Sequence, residues 1–161
     1  MATFSKSFSN NSKYTLILTV TEVANSTNIA NNTTDVKWEL KMTSGGASFA
    51  SWYVDSTVTI NGETVLDNSV KTSISANSSL ILGSGTKTIK HNDDGKKTIS
   101  CSGSASTLTS QTYLPGSASV SGDLILTEIP RESEVTCPSF NAGSSTNIVV
   151  TKKKWKSNKH N

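Results

Sequence analysis

The chain has 161 residues, enough for one domain with a hydrophobic core and a further segment. Only 34% of the residues are hydrophobic and 6% aromatic, whereas Ser and Thr together fill 50 positions, and no apolar run reaches the length of a membrane span. The net charge of +3 is uneven, because residues 151–161 carry five Lys and no acid, which leaves ten basic and twelve acidic residues elsewhere. A short basic end with one aromatic residue does not indicate nucleic-acid binding.

Cysteine usage and the first residues indicate where the protein is made. Cys101 and Cys137 are the two cysteines, and neither has another Cys or a His at zinc-binding spacing. We therefore predict neither a disulfide framework nor a metal centre. Residues 1–11 show no basic start and no apolar segment, so we expect no secretory leader and synthesis in a cytoplasm.

Alternation of apolar and polar residues predicts the first long strands. Apolar residues alternate with Thr and Ile from Tyr14 to Val20, and with charged residues from Val36 to Met42. Trp38 lies on the apolar side of the second run. We therefore expect Trp38 in the core, on the same face as Val36, Leu40 and Met42.

The dipeptide Asn61-Gly62, flanked by β-branched residues, is the strongest turn signal in the chain. It suits a two-residue type I′ turn and predicts a hairpin over Thr57–Leu66. Further strands are predicted at Ala2–Phe8, Phe49–Val54, Val70–Ile74, Thr86–Lys90, Lys97–Ala105 and Ser117–Ile129. About eight strands at this spacing, without a helical stripe, predict an all-β antiparallel β-sandwich or jelly roll.

A domain boundary is expected after Arg131. Pro130 ends the last predicted strand, because proline cannot donate a hydrogen bond to a neighbouring strand, and a polar stretch follows it. We expect a β-sandwich domain over 1–131. Residues 132–161 hold one short alternating run, Ile148–Thr151, and are expected to be mobile, either as the truncated start of a second β module or as a disordered basic tail.

The segment HNDDG, residues 91–95, combines a histidine with two adjacent aspartates between two predicted strands. Asp and Asn cap tight turns through their own side chains, and Gly accepts a positive φ, so we predict a hairpin turn. The alternative, a calcium loop, requires carboxylates spaced so that the chain wraps the ion, and that spacing is missing. No nucleophile elbow and no second histidine in 1–131 accompany it, so no catalytic residue is assigned.

Five motifs, taken in order, carry a family resemblance. They are F-x-x-x-F-x-x-N…Y-x-L-x-L-x-V, N-N-T-T-D-V-x-W-x-L, V-x-I-N-G, G-x-x-T-I-x-H-N-x-D-G-x-K and L-I-L-T-x-I-P-R. The matching positions run from Phe4 and Phe8 through Tyr14, Trp38, Asn61-Gly62 and His91 to Ile129-Pro130-Arg131. Over most of its length the chain resembles the repeated β domain of tail and structural proteins of siphophages and prophages of Gram-positive bacteria. The resemblance implies a virion tail module, other tail proteins as partners, and no catalytic residues.

The leading functional hypothesis is a non-enzymatic tail or baseplate-associated module that assists adhesion to glycan on the host surface. Exposed aromatic rings stack on sugars, and the candidates are Trp52, Tyr53 and Tyr113. Tyr113 is expected on a loop, whereas strand alternation allows either Trp52 or Tyr53 to face the core instead. The alternative is a carbohydrate-binding module of a cell-wall hydrolase. We expect no cofactor, metal, nucleic-acid or membrane partner, and the sequence leaves the glycan and homo-oligomer formation open.

Overall fold

The computed structural model describes residues 1–108, 111–136, 143, 145 and 147–153. This part of the chain consists of strands and their connections. Within it, no helical segment has the length and apolarity needed to cross a membrane. The strands are β1 (Ala2–Ser7), β2 (Tyr14–Glu22), β3 (Thr33–Ser44), β4 (Phe49–Ile60), β5 (Glu63–Ile74), β6 (Ser79–Lys90), β7 (Thr98–Ser106), β8 (Ser117–Ile125), β9 (Ser133–Thr136) and β10 (Val149–Lys152).

Two four-stranded sheets form a β-sandwich. The first sheet has the order β1-β2-β3-β6 and the second β5-β4-β7-β8, with all neighbours antiparallel. Along one side of the sandwich β5 lies beside β6, and along the other β1 lies beside β8. The predicted all-β sandwich is therefore confirmed.

The core lies between the two sheets, and strand alternation determines which side chains reach it. Trp38 is 4% exposed, and its neighbours along one face of β3, namely Val36, Leu40 and Met42, are fully buried. The predicted position of Trp38 is confirmed. Tyr14 packs edge-on against Phe49, with 5.9 Å between ring centroids.

Some strands are longer or shorter than predicted. β4 joins the predicted segments Phe49–Val54 and Thr57–Ile60, because Ser56, although polar, continues the inward alternation and is buried. β6 begins at Ser79, well before the predicted start at Thr86. β8 ends at Ile125, whereas the prediction extended it to Ile129.

Two glycines in β6 explain the missed start of that strand. Glycine usually marks a strand break, but here it makes room for a neighbouring side chain. A Cβ at Gly83 would lie 2.6 Å from Leu66 Cδ2, and a Cβ at Gly85 would lie 3.0 Å from Trp38 Cζ2. The glycines therefore allow β6 to approach the core closely.

The segment after Arg131 forms a separate two-stranded sheet in which β9 pairs with β10. The apolar side chains of Val135, Val149 and Val150 in this ribbon are each more than half exposed. The residues 137–142 and 154–161, which include Cys137, lie outside the described residues. The domain boundary and the mobility of residues 132–161 stay predictions.

Candidate functional site

The HNDDG segment is a tight turn, but it is not a hairpin. Gly95 has a φ of +84°, the Asn92 amide donates to the Lys96 carbonyl at 3.0 Å, and the Lys96 amide donates to Asp94 Oδ1 at 2.9 Å. However, β6 before the turn belongs to the first sheet and β7 after it belongs to the second. The hairpin prediction was wrong because the local sequence encodes the turn and not the sheet that each flanking strand joins.

His91 is a buried residue whose two ring nitrogens both have partners. Its Nδ1 lies 2.8 Å from the Gly95 carbonyl oxygen and its Nε2 lies 3.0 Å from Thr34 Oγ1. A carbonyl oxygen only accepts, so Nδ1 carries a proton, and Nε2 shares its hydrogen bond with the Thr34 hydroxyl. His91 is 4% exposed and Thr34 is fully buried. The imidazole therefore links the turn to β3 and has no nitrogen left for a substrate or a metal ion.

Asn32 and Arg131 complete the hydrogen bonding of the turn. Asn32 is fully buried with a φ of +58°, and its Nδ2 donates to the carbonyls of His91 at 2.9 Å and Asn92 at 3.2 Å. The Arg131 guanidinium donates to Asn32 Oδ1 and, through Nε, to the Asp93 carbonyl at 3.1 Å. These bonds satisfy main-chain carbonyls that the turn leaves without strand partners.

We call Asn32, Thr34, His91, Gly95 and Arg131 the polar junction. Its members come from three of the sequence motifs, which lie far apart along the chain and meet only in the fold. Ile129 also reaches the junction, since its amide donates to the Gly95 carbonyl at 2.9 Å. The junction fixes the connection between the sheets and the segment that follows β8. Within the described ranges no group of three or more His, Cys, Asp or Glu side chains could hold a metal ion.

Tyr113 lines a shallow, open depression of about 570 Å³ at one end of the sandwich. We call this surface the Tyr113 depression; it is formed by Ser48, Phe49, Ala50, Ser73, Ile74, Ser75, Ala76 and Tyr113. Tyr113 is 54% exposed, whereas Phe49 and Ile74 are buried and form an apolar floor. The serines supply hydroxyl groups around it. An exposed ring beside an apolar floor and several hydroxyls is a surface that can receive a sugar.

Thr107 and Gly116, which lie on either side of Tyr113 in the chain, are joined by hydrogen bonds. The amide of Thr107 donates to the Gly116 carbonyl at 2.9 Å, and the amide of Gly116 donates to Thr107 Oγ1 at 3.0 Å. Leu114 is 1% exposed and anchors the loop in the core. The exposed ring of Tyr113 therefore lies next to a residue, Leu114, that is held in the core.

Trp52 lies near the same loop but is held by it. Its indole Nε1 donates to the Thr107 carbonyl at 3.0 Å, and the side chain is 36% exposed. Trp52 has the same inward direction as buried Val54, but it follows an irregular stretch of β4 in which Ser51 has a φ of +53°. The N–H edge of the indole is therefore occupied by a hydrogen bond within the protein, and part of the ring is accessible to solvent.

Tyr53 points away from the core, because its neighbour Val54 is buried. Its ring is 57% exposed and lies under the Lys71 ammonium, 5.9 Å from the centroid. Neither Trp52 nor Tyr53 lines the Tyr113 depression. The Tyr113 depression therefore does not include the other two predicted aromatic residues, and glycan binding by any of the three stays a prediction.

The chain matches a known protein family. A family model described as "Siphovirus protein of unknown function (DUF859)" matches residues 1–161. No curated protein and no solved structure matches the chain. The family match confirms the resemblance to siphophage proteins that the sequence motifs indicated.

Proposed function

Because the chain belongs to this siphovirus protein family, we propose that it is a non-enzymatic structural module of the virion tail. The chemistry of the polar junction supports a structural role. His91, the one histidine in 1–131, directs both ring nitrogens to groups of the fold itself, Gly95 and Thr34. Asn32 and Arg131 are engaged with main-chain carbonyls of the turn. The residue types most suited to catalysis thus stabilise the sandwich.

We further propose that the Tyr113 depression contacts glycan on the host cell surface. The observation that carries this proposal is the exposed Tyr113 ring beside the apolar floor of Phe49 and Ile74. An aromatic ring stacks on the apolar face of a sugar, while hydroxyls such as those of Ser48 and Ser73 reach its polar edge. The depression is shallow and open, which suits a chain-like polysaccharide better than a small molecule.

The tail assignment is tested on purified virions. Peptides of the chain should be found by mass spectrometry in particles separated from host lysate, and antibodies against residues 1–131 should label one end of the particle in electron micrographs. A protein found in the lysate but missing from the particles would contradict the proposal. If that protein still bound wall polysaccharide, the carbohydrate-binding module of a cell-wall hydrolase would be favoured instead.

The glycan contact is tested by calorimetry with wall polysaccharide purified from a Gram-positive host. Tyr113→Ala should weaken binding about tenfold, the effect of losing roughly 1.4 kcal/mol of aromatic contact. Tyr53→Ala is the matched control, because it removes an equally exposed tyrosine outside the depression. Equal losses in both variants, or no binding by the unmodified chain, would contradict this surface.

A further inference from the structure

We infer that the edge of β5 that no described strand pairs with pairs with the same strand of a second copy of the chain. The two second sheets would then form one continuous sheet across a two-fold axis. Strand addition of this kind satisfies main-chain groups that an edge strand leaves open. The inference rests on the geometry of β5 and does not depend on glycan binding.

β5 is the longest edge strand of the sandwich that contains neither proline nor glycine. Natural edge strands are kept from pairing by short length, charged side chains, proline or bulges. β1 has six residues, and β6 contains two glycines and a register shift against β3 at Leu40/Lys41. β8, the other edge of its sheet, lies beside β1 more extensively than β5 lies beside β6. β5 has twelve residues, its irregular position Val65 lies near one end, and its charged residues Asp67 and Lys71 are opposite in sign.

The regular part of β5 has a defined centre. From Leu66 to Thr72 it pairs without interruption with residues 58 to 52 of β4, and register shifts lie at both ends of this stretch. At one end Val65 has no partner residue in β4. Ser69 is the middle of the regular stretch. A two-fold axis at Ser69 therefore places the whole regular stretch against itself, with Leu66 opposite Thr72 of the other copy.

This register is complementary in charge. It places Asp67 of each copy opposite Lys71 of the other, so the same attractive pair occurs twice across the axis. Asp67, Ser69 and Lys71 are all exposed, and they face the solvent side of the sheet together with Tyr53. Asp67 forms no ion pair with any described residue. The Lys71 ammonium lies over the Tyr53 ring, 5.9 Å from its centroid, and forms no ion pair with a described residue. A carboxylate of the partner strand would therefore be its first ion-pair partner.

The opposite face of the edge exposes apolar residues beside Asn68 and Thr72. Val70 is 49% exposed although its β4 partner Val54 is buried, and Ile81 of the adjacent strand β6 is 58% exposed. Both residues line a small cleft of about 50 Å³ between β5 and β6, together with Leu80 and Leu82. In the paired arrangement, Asn68 of the second copy lies opposite Val70. A partner strand would thus cover apolar surface that the single chain leaves in water.

Charge exchange tests the register. In sedimentation equilibrium of the full chain at low salt, Asp67→Lys and Lys71→Glu should each raise the dimer dissociation constant about tenfold or more, because each turns two attractive pairs into two repulsive ones. The double variant should return to the original value. A mixture of the two single variants should form a heterodimer, since two lysines of one strand would then face two carboxylates of the other. Lys6→Glu on the edge strand β1 is the control and should change nothing.

A cysteine at the axis provides an independent test. Ser69→Cys in a Cys137→Ser background should form an intermolecular disulfide on mild oxidation, while Cys101 is buried and does not compete. Ser5→Cys on β1 should not cross-link. A chain that stays monomeric up to about 1 mM overturns the inference, as does a dimer that is insensitive to both charge exchanges. Circular dichroism of each variant shows whether the fold is retained. The heterodimer forms from a mixture of the two charge variants, so this test works even if neither variant dimerises by itself.

Discussion

Replacing Gly95 by Ala tests how much the contact between the HNDDG turn and Ile129 contributes to the stability of the protein. Replacing Gly62 by Ala is the matched control. Both glycines have a positive φ, +84° and +80°. Replacing either by Ala introduces a Cβ in a conformation that L-residues disfavour by roughly 1 to 2 kcal/mol. At Gly62 the new Cβ meets no atom within 4 Å, whereas at Gly95 it would lie 2.2 Å from the Ile129 carbonyl oxygen.

Gly95→Ala therefore carries a second cost that Gly62→Ala lacks. The close approach must be relieved by moving the segment around Ile129 away from the turn, and this breaks the 2.9 Å bond from the Ile129 amide to the Gly95 carbonyl. A lost main-chain bond costs about 0.5 to 1.5 kcal/mol, and displacement of the fully buried Ile129 side chain adds about 1 kcal/mol or more. We expect Gly95→Ala to destabilise the protein by about 3 to 4 kcal/mol, against about 1 to 2 for Gly62→Ala.

Urea unfolding of the two variants measures this difference. The midpoint should fall much further for Gly95→Ala than for Gly62→Ala, with the slope unchanged, so that the midpoints report stability. If the two variants lost the same free energy, the contact between the turn and Ile129 would contribute nothing. The hydrogen bonds of the polar junction would then not stabilise the fold in the way that their geometry indicates.

Four further predictions concern the core and the end of the chain. Trp38→Ala should cost roughly 3 to 5 kcal/mol in urea unfolding, because the indole is buried; an unchanged midpoint would place it on the surface. Tyr14→Phe should leave stability unchanged or raise it by about 1 kcal/mol, since the buried hydroxyl has no hydrogen-bond partner among the described residues; a clear loss would reveal a partner. Burial, with a contribution from Asp123, raises the pKa of the Cys101 thiol to about 11, so thiol reagents should label Cys101 only when the protein unfolds; labelling of the folded protein at neutral pH would contradict this. The unfolded thiol ionises near pH 8.5, so the free energy of unfolding should fall as the pH rises from about 8.5 to about 11. Deleting residues 132–161 should change the stability of the sandwich by no more than about 0.5 kcal/mol; a larger loss would show that β9 or β10 contributes to it.

Strand alternation made the core predictable. A sandwich core is formed by every second residue, so the inward face of β3 could be read from the sequence before any strand partner was known. Alternation was not enough where a residue type conflicted with its position. Ser56 is polar and buried, and Gly83 and Gly85 lie inside a strand because Leu66 and Trp38 occupy the space of their missing side chains. Those contacts join distant parts of the chain and leave no local pattern.

For the aromatic candidates, too, strand alternation predicted the direction of the side chains but not their contacts with distant parts of the chain. Alternation indicated that Trp52 and Tyr53 face opposite ways, and they do. The irregular backbone at Ser51 and the bond from Trp52 to Thr107 depend on β4, β7 and a loop together. The floor under Tyr113 likewise comes from Phe49 in β4 and Ile74 in β5, which lie 64 and 39 residues before that tyrosine in the chain. The aromatic candidates could therefore be identified from the sequence, but the Tyr113 depression could not be predicted from it.

The polar junction explains why the most chemically suggestive motif was a weak guide to function. His91, Asn32 and Arg131 are residue types that catalytic sites use, yet in a sandwich the chain must pass from one sheet to the other, and the crossing leaves carbonyls without strand partners. Side chains with several donors satisfy those carbonyls, so His, Asn and Arg at such a crossing are expected on structural grounds. Groups that are consumed in this way cannot also bind a ligand. The interactions proposed above therefore use other groups, the exposed ring of Tyr113 and the edge of β5 that no described strand pairs with.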